Sequence, residues 1–292
     1  MNEFKSYHPF VNFIYFLCVI GFSMFLMHPL SLGIALLCAI SYTFVLKGKK
    51  SAFRSILMII PIILITAVIN PLFNHAGVTI LEYFPSGNPL TAESVCYGIA
   101  AGTMLAAVIL YFSCYNAVMT SDKFIYLFGK IIPTLSLVFS MILRFVPNLI
   151  SRIKEITNTQ KTLGRDISKG SIIKRLKCAM RILSILVTWS LENAIDTADS
   201  MKSRGYGLPG RTAYSNFRFE RRDVKVLLWM LVLSGITVAG IFGGYLSYNY
   251  FPIFEVEQFT PVSCFIHLSY FLLCMTPIII EWREEYRWKA IE

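Results

Sequence analysis

The chain has 292 residues, 55% of them hydrophobic and only 15% charged, with a mean hydropathy of +0.61. Soluble domains carry nearer a quarter charged residues, so an ordinary soluble enzyme is excluded and a polytopic membrane protein is expected. The net charge is +10, and its placement is uneven: residues 144–225 hold 17 Lys and Arg against 7 Asp and Glu, while the rest of the chain holds 10 of each.

Residues 10–27 and 30–46 are apolar, and His28-Pro29 separates them. Each is about long enough to cross a bilayer core, and the short link predicts a hairpin with His28 as a polar group at its turn. The first 30 residues lack the basic region and small-residue cleavage site of a signal peptide, so 10–27 is read as a span. The basic stretch KGKKSAFR (47–54) has no acid, and a third span, 55–73, follows it. Residues 74–94 are polar and turn-rich, with two acids and no Lys or Arg, and a fourth span covers 95–118. The tendency of bases to stay inside then places the N-terminus and 47–54 in the cytoplasm, 74–94 outside, and the chain from 119 onward inside. Gly98 and Gly102 form a small-xxx-small face suited to close helix contact.

The pattern then changes. Residues 131–164 start near Pro133, carry Pro147, which is expected to kink a helix, and stop at Gly164. Residues 171–205 offer Ser171 as N-cap and Gly205 just past the last turn. Their apolar positions recur at three and four from Leu183 to Met201. Each helix would be roughly 45–50 Å long. Arg144, Arg181 and Glu192 would fall in hydrocarbon, so both are read as long amphipathic cytoplasmic helices rather than spans. A fifth span, 226–248, contains the Gly240-Ile-Phe-Gly243-Gly244 face. The loop 249–261 has acids and no base, and is read as external. A sixth span, 262–280, returns the chain to the cytoplasm. The expectation is an all-α polytopic membrane protein with about six transmembrane helices. Residues 1–120 would hold helices 1–4, 121–222 a cytoplasmic coupling domain, and 223–292 helices 5–6 and a short tail, with both termini cytoplasmic.

The chemistry is sparse. The six spans are nearly free of ionisable groups, which ion-coupled transporters need at depth. No HExxH or GxSxG motif appears. The seven cysteines show no close pairing and read as small packing residues, without a metal site or disulfide framework. Gly205-Tyr-Gly207-Leu-Pro-Gly210 fits G-x-G-x-x-G but follows a helix, and a dinucleotide fingerprint needs a strand before it. Arg204 complements a helix dipole, yet a guanidinium at a projecting tip also suits a partner carboxylate. An enzyme acting on lipid-linked phosphates is the alternative, with Glu192, Asp196 and Asp199 on or near one helical face as candidate acids. Solubilising acids paired with neighbouring bases are the plainer reading of those three.

Several stretches carry a family resemblance: Asn70-Pro71-Leu72-Phe73-Asn74-His75-Ala76-Gly77, SDKFIYLFGKIIPTLSLVFSMILRFVPNLI (121–150), TQKTLGRD (159–166) and SMKSRGYG (200–207). Over roughly residues 9–245 the sequence resembles the transmembrane (T) component of energy-coupling factor transporters, the family that includes the CbiQ-like proteins. The resemblance implies a non-catalytic subunit of an importer for a vitamin or transition-metal ion in the cell membrane. It implies as partners two ABC-type ATPase subunits, A and A′, a small membrane S component and the lipid bilayer, with no nucleic acid. It implies no cofactor in this chain, ATP being bound by the ATPases. Two coupling helices in that family end in short arginine motifs that dock on the ATPases. Ser203-Arg204-Gly205 matches the second motif. At the first, the family has Arg directly before Gly, whereas this sequence has Leu163-Gly164-Arg165. Either Arg165 substitutes from one position later or that tip docks by shape. Asn70, Pro71, Gly77, Pro133 and Pro147 lie in the matching stretches or at helix breaks and are expected to have structural or coupling roles. The sixth span lies beyond the usual shorter form of the family.

Overall fold

The computed structural model describes residues 3–83, 88–129, 132–164, 171–206, 217–254 and 260–290. A short 3-10 helix, Glu3–Ser6, precedes α1 (Pro9–Phe25), α2 (Pro29–Lys47), α3 (Lys49–Leu57) and α4 (Ile59–Phe73). A two-stranded antiparallel hairpin, β1 (Ile80–Tyr83) and β2 (Pro89–Thr91), leads into α5 (Ala92–Val118). Then come α6 (Ser121–Gly129), α7 (Pro133–Thr162), α8 (Ile172–Ser203), α9 (Arg221–Phe242) and α10 (Pro261–Lys289). The chain divides into two compact units, Met1–Phe124 with Phe217–Glu292, and Ile125–Asn216.

Two helices of the first unit start on the same local device. His8 and His28 stand at the N-caps of α1 and α2, each with Pro next, and each imidazole accepts a backbone N–H two residues on, at 3.3 and 3.2 Å. Proline at the first helical position has no N–H to leave unpaired, and the ring nitrogen satisfies one of those that remain. His28 is therefore a cap at the turn, as its place in the sequence suggests. The third predicted span is not one helix: α3 ends at Leu57 and α4 begins at Ile59. The fifth ends earlier than expected, at Phe242, because Gly244 takes a left-handed φ of 78°.

The core of this unit is built on tyrosines. Tyr15, Tyr42, Tyr111 and Tyr270 are completely buried among α1, α2, α5 and α10. The Tyr15 hydroxyl donates to the Cys274 carbonyl at 2.9 Å, and Ser23 and Tyr270 share a hydrogen bond at 3.2 Å. Helix α10 thus closes onto α1 rather than lying outside the core. Outward, Leu64, Ile65 and Val68 of α4 are exposed. That inversion is expected of a surface solvated by hydrocarbon. Both glycine faces are used. A Cβ on Gly98 would lie 2.8 Å from the Thr66 backbone oxygen of α4, and one on Gly240 2.6 Å from an Ile266 methyl of α10.

Among the described residues, seven helices are long and apolar enough to cross a membrane, counting α3 and α4 as one run; α1, at 17 residues, is shorter. The seven include most of α7 and all of α8, in addition to α2, α5, α9 and α10. Their charges cluster so that one apolar stretch remains in each. Helix α7 runs unbroken through Pro147. With 30 and 32 residues, α7 and α8 are about 45 and 48 Å long.

Candidate functional site: two capped helix ends

In the second unit α7 and α8 meet around Trp189. Its ring stacks on Phe145 with centroids 6.1 Å apart and planes 7° apart, and the Arg152 guanidinium lies 5.1 Å over it. Arg152 also pairs with Glu155 at 2.6 Å. Ile182 and Leu186 are buried on α8. Away from this contact the helices run on. Leu163 lies about 16 Å along the axis beyond Arg152, and Arg204 about 22 Å beyond Trp189.

The two ends share one construction. Thr159-Gln-Lys161-Thr162-Leu163-Gly164 and Ser200-Met-Lys202-Ser203-Arg204-Gly205 align position by position. Leu163 and Arg204 are the C-caps, with φ, ψ of −81°, 12° and −83°, 8°. Gly164 and Gly205 follow at φ 75° and 76°. Only glycine enters that region without a Cβ penalty. The Gly164 and Gly205 N–H groups donate to the Lys161 and Lys202 carbonyls, both at 3.0 Å, and Tyr206 N–H donates to the Met201 carbonyl at 3.0 Å. The second end is therefore a full Schellman cap, with the 6→1 and 5→2 bonds both present. One residue inside each cap a hydroxyl folds back: Thr162 to the Thr159 carbonyl at 2.7 Å, Ser203 to the Ser200 carbonyl at 2.9 Å.

The ends differ in what they present. Leu163 is 63% exposed, a large apolar group at a helix terminus. Arg204 is exposed and makes no ion pair with any described residue. Arg165, the residue offered by sequence as a stand-in for the missing arginine, lies outside the described residues, as do Gly207 and Gly210 of the G-x-G-x-x-G match. Glu192, Asp196 and Asp199 are all exposed on α8, without the buried setting that tunes a catalytic acid. Ser171 takes the N-cap position of α8, but its side chain makes no capping bond.

The remaining predicted residues fall elsewhere. Pro133 opens α7 and Pro147 lies in its interior. Asn70 and Pro71 close α4, and Gly77 lies in the turn after it. Gly77, at φ 136°, leaves room for Glu93; a Cβ there would lie 2.6 Å from the Glu93 carboxylate. Glu93 accepts from the Thr79 hydroxyl at 2.7 Å and its N–H at 3.1 Å, and the Thr91 hydroxyl donates to the Ala76 carbonyl at 2.8 Å. The turn from Ala76 to Thr79 is thus fastened to the start of α5 by Thr91 and the buried Glu93 carboxylate, and Gly77 provides the close approach.

The family described as CbiQ, cobalt transport protein, matches residues 5–214. The chain belongs to this family. It is 28% identical over 227 residues to the energy-coupling factor transporter transmembrane protein EcfT of Bacillus selenitireducens, covering 74% of this chain and 84% of that one. It is 30% identical over 202 residues to the EcfT of Lacticaseibacillus paracasei, covering 65% and 76%. A shorter match to the EcfT of Lactobacillus helveticus is 41% identical over 103 residues, covering 35% of this chain and 37% of the relative. This CbiQ-family chain is therefore a non-catalytic, multi-pass membrane component of the energy-coupling factor type. Its repeated six-residue cap was legible in the sequence as Thr/Ser-x-Lys-Thr/Ser-x-Gly; a search for arginine before glycine finds only the second copy.

Proposed function

We propose that this CbiQ-family chain couples two ABC-type ATPase subunits, A and A′, to a small membrane S component for uptake of a vitamin or transition-metal ion. The two capped ends of α7 and α8 are the docking tips, Leu163-Gly164-Arg165 and Ser203-Arg204-Gly205. ATP-driven movement of the ATPases shifts the tips, and the long helices carry that shift to the membrane helices that hold the S component. Rigid helices between two-state parts are a physically sound conveyor. ATP is held by the partners, and this chain needs no cofactor. Both termini and the two long helices face the cytoplasm of the cell membrane.

The observation that carries this reading is the pairing of two helix ends that each close on a left-handed glycine and leave an exposed side chain, Leu163 or Arg204, at the terminus. A surface helix end needs one capping device; two copies of the same device, each holding a protruding side chain steady, suit two similar partners. The test is co-purification of tagged wild type and Arg204→Glu from native cells in mild detergent. Wild type is expected to bring two ATPases and a small membrane protein. The charge reversal is expected to weaken ATPase retention by at least about tenfold, as loss of a charge-assisted hydrogen bond would. A well-behaved wild-type preparation with no ATPase would refute the assignment.

A further inference from the structure

The chain passes into the second unit after Phe124 and returns at Phe217. Both junctions, distant from it in sequence, are tied to one short stretch of the first unit, Glu3–Asn12. At the outgoing junction stands Lys123 of α6, only 5% exposed. Its Nζ donates to the Lys5 carbonyl at 2.5 Å. It also donates to the Asn12 side-chain oxygen at 2.8 Å, with the Asn12 amide turned so that its nitrogen donates to the Phe4 carbonyl at 3.1 Å. At the returning junction stands Asp223, 1% exposed. One of its oxygens accepts the His8 N–H at 3.3 Å, and the other accepts the Glu220 N–H at 2.9 Å. Beside it the Arg222 guanidinium lies 5.0 Å over the Tyr7 ring, and the Phe219 ring meets His8 edge-on at 4.8 Å.

The stretch that receives both ties is itself fixed in the core. Phe4 is fully buried, with ring contacts to Tyr7, Tyr15, Phe16 and Tyr42 at 5.2 to 6.5 Å. Local folding demands none of this. A helix as short as α6 can leave its lysine in water at no cost, whereas burying an ammonium on carbonyl acceptors opposes hydration. Asp223 would complete a capping box with Glu220 without reaching His8.

We propose that Glu3–Asn12 is a clasp that gathers both junctions of the coupling segment at a single point, with Lys123 and Asp223 as its positioning residues. The clasp would pass motion of the coupling segment into α1 and the tyrosine core instead of letting it dissipate in two independent hinges. The mechanical role rests on the coupling function proposed above; the clasp itself does not.

Hydrogen exchange on the purified full chain tests the clasp without partners. Lys123→Met and Asp223→Ala are compared at the amides of 121–129 and 219–224. A common clasp predicts that each variant speeds exchange at both junctions, by about threefold or more at the far one. Acceleration confined to the mutated junction overturns the proposal. Tyr7→Leu, which removes the ring beneath Arg222 and leaves Lys123 and Asp223 in place, serves if either variant fails to fold, and is expected to loosen both junctions more mildly. The second arm adds Mg·ATP to the complex co-purified from native cells and follows the amides of α1. Wild type is expected to respond and Asp223→Ala to lose the response with its ATPases still bound, while Asp223→Asn, which retains an accepting oxygen, restores it. A full ATP response in Asp223→Ala overturns the mechanical role. A wild type that binds no ATPase sinks the coupling function alone, and the partner-free exchange still decides the clasp.

Discussion

Substitution of Gly164 isolates the backbone contribution at one capped helix end. Its φ of 75° lies where an L-residue is strained, and a Cβ built there meets nothing within 4 Å. The cost of Gly164→Ala is therefore conformational and not steric, about 1–2 kcal/mol for a side chain forced into the left-handed region. Asparagine tolerates that region, so Gly164→Asn is expected to cost well under half as much. The amides that report the cap are those of Leu163 and Gly164, bonded to the Thr159 and Lys161 carbonyls at 3.3 and 3.0 Å. With RT near 0.6 kcal/mol, Gly164→Ala should speed their exchange roughly 5- to 30-fold, while Gly164→Asn stays within about threefold of wild type. Hydrogen exchange with peptide resolution over 159–164 reads this on the isolated chain. Equal protection in all three would show that the left-handed glycine is not what holds the end, and the matched pair of caps would lose its significance.

Gly98→Ala should destabilise more than Gly240→Ala, because the first drives a Cβ against the Thr66 backbone and the second against a side chain that can turn; thermal unfolding in detergent should show a loss of about 1–3 kcal/mol for Gly98→Ala. Trp189→Ala removes both the Phe145 stack and the Arg152 cation from the contact between α7 and α8, and should cost roughly 1–2.5 kcal/mol, seen as faster proteolysis within 133–206, whereas Trp189→Phe should keep part of that protection. Burial, with the Lys5 charge second, pulls the Lys123 ammonium down to about 8 from 10.5. Between those values the unfolded chain binds the additional proton, so this group's contribution to stability rises with pH from about 8 to 10.5 and is unfavourable below. Subtracting the pH profile of Lys123→Met from that of wild type should leave that rise; a flat difference would count against burial of a charge.

The spans and the helix ends were legible because they are written locally. A run of apolar residues, or a glycine after an amphipathic repeat, needs no distant partner to be understood. Gly164 and Gly205 were placed as terminators from sequence and take the left-handed φ that terminators need. The paired glycine faces were equally local. The break at Met58 has a local mark that was passed over: Pro61 stands in the first turn of α4, where its missing N–H leaves the Leu57 carbonyl without a helical partner. The hairpin between β1 and β2 was read only as a polar loop, because its two strands have four and three residues and carry no alternating pattern. Least legible were Lys123 and Asp223. Both read as ordinary surface charges near helix starts, and their partners lie 118 and 215 residues away. A polar contact of that range leaves no trace in composition or period.

The bond from Tyr15 to the Cys274 carbonyl also sets an order of assembly. Helix α1 leaves the ribosome before α10, so Tyr15 acquires its acceptor only when α10 has been made. Until then that hydroxyl faces hydrocarbon or a transient partner, and α1 has no settled neighbour on that side. The family match ends at residue 214, yet here α1 is completed by a helix that begins at Pro261. A nascent chain halted before α10 would hold a provisional membrane unit, with the Tyr15 hydroxyl still lacking the acceptor it has in the finished fold.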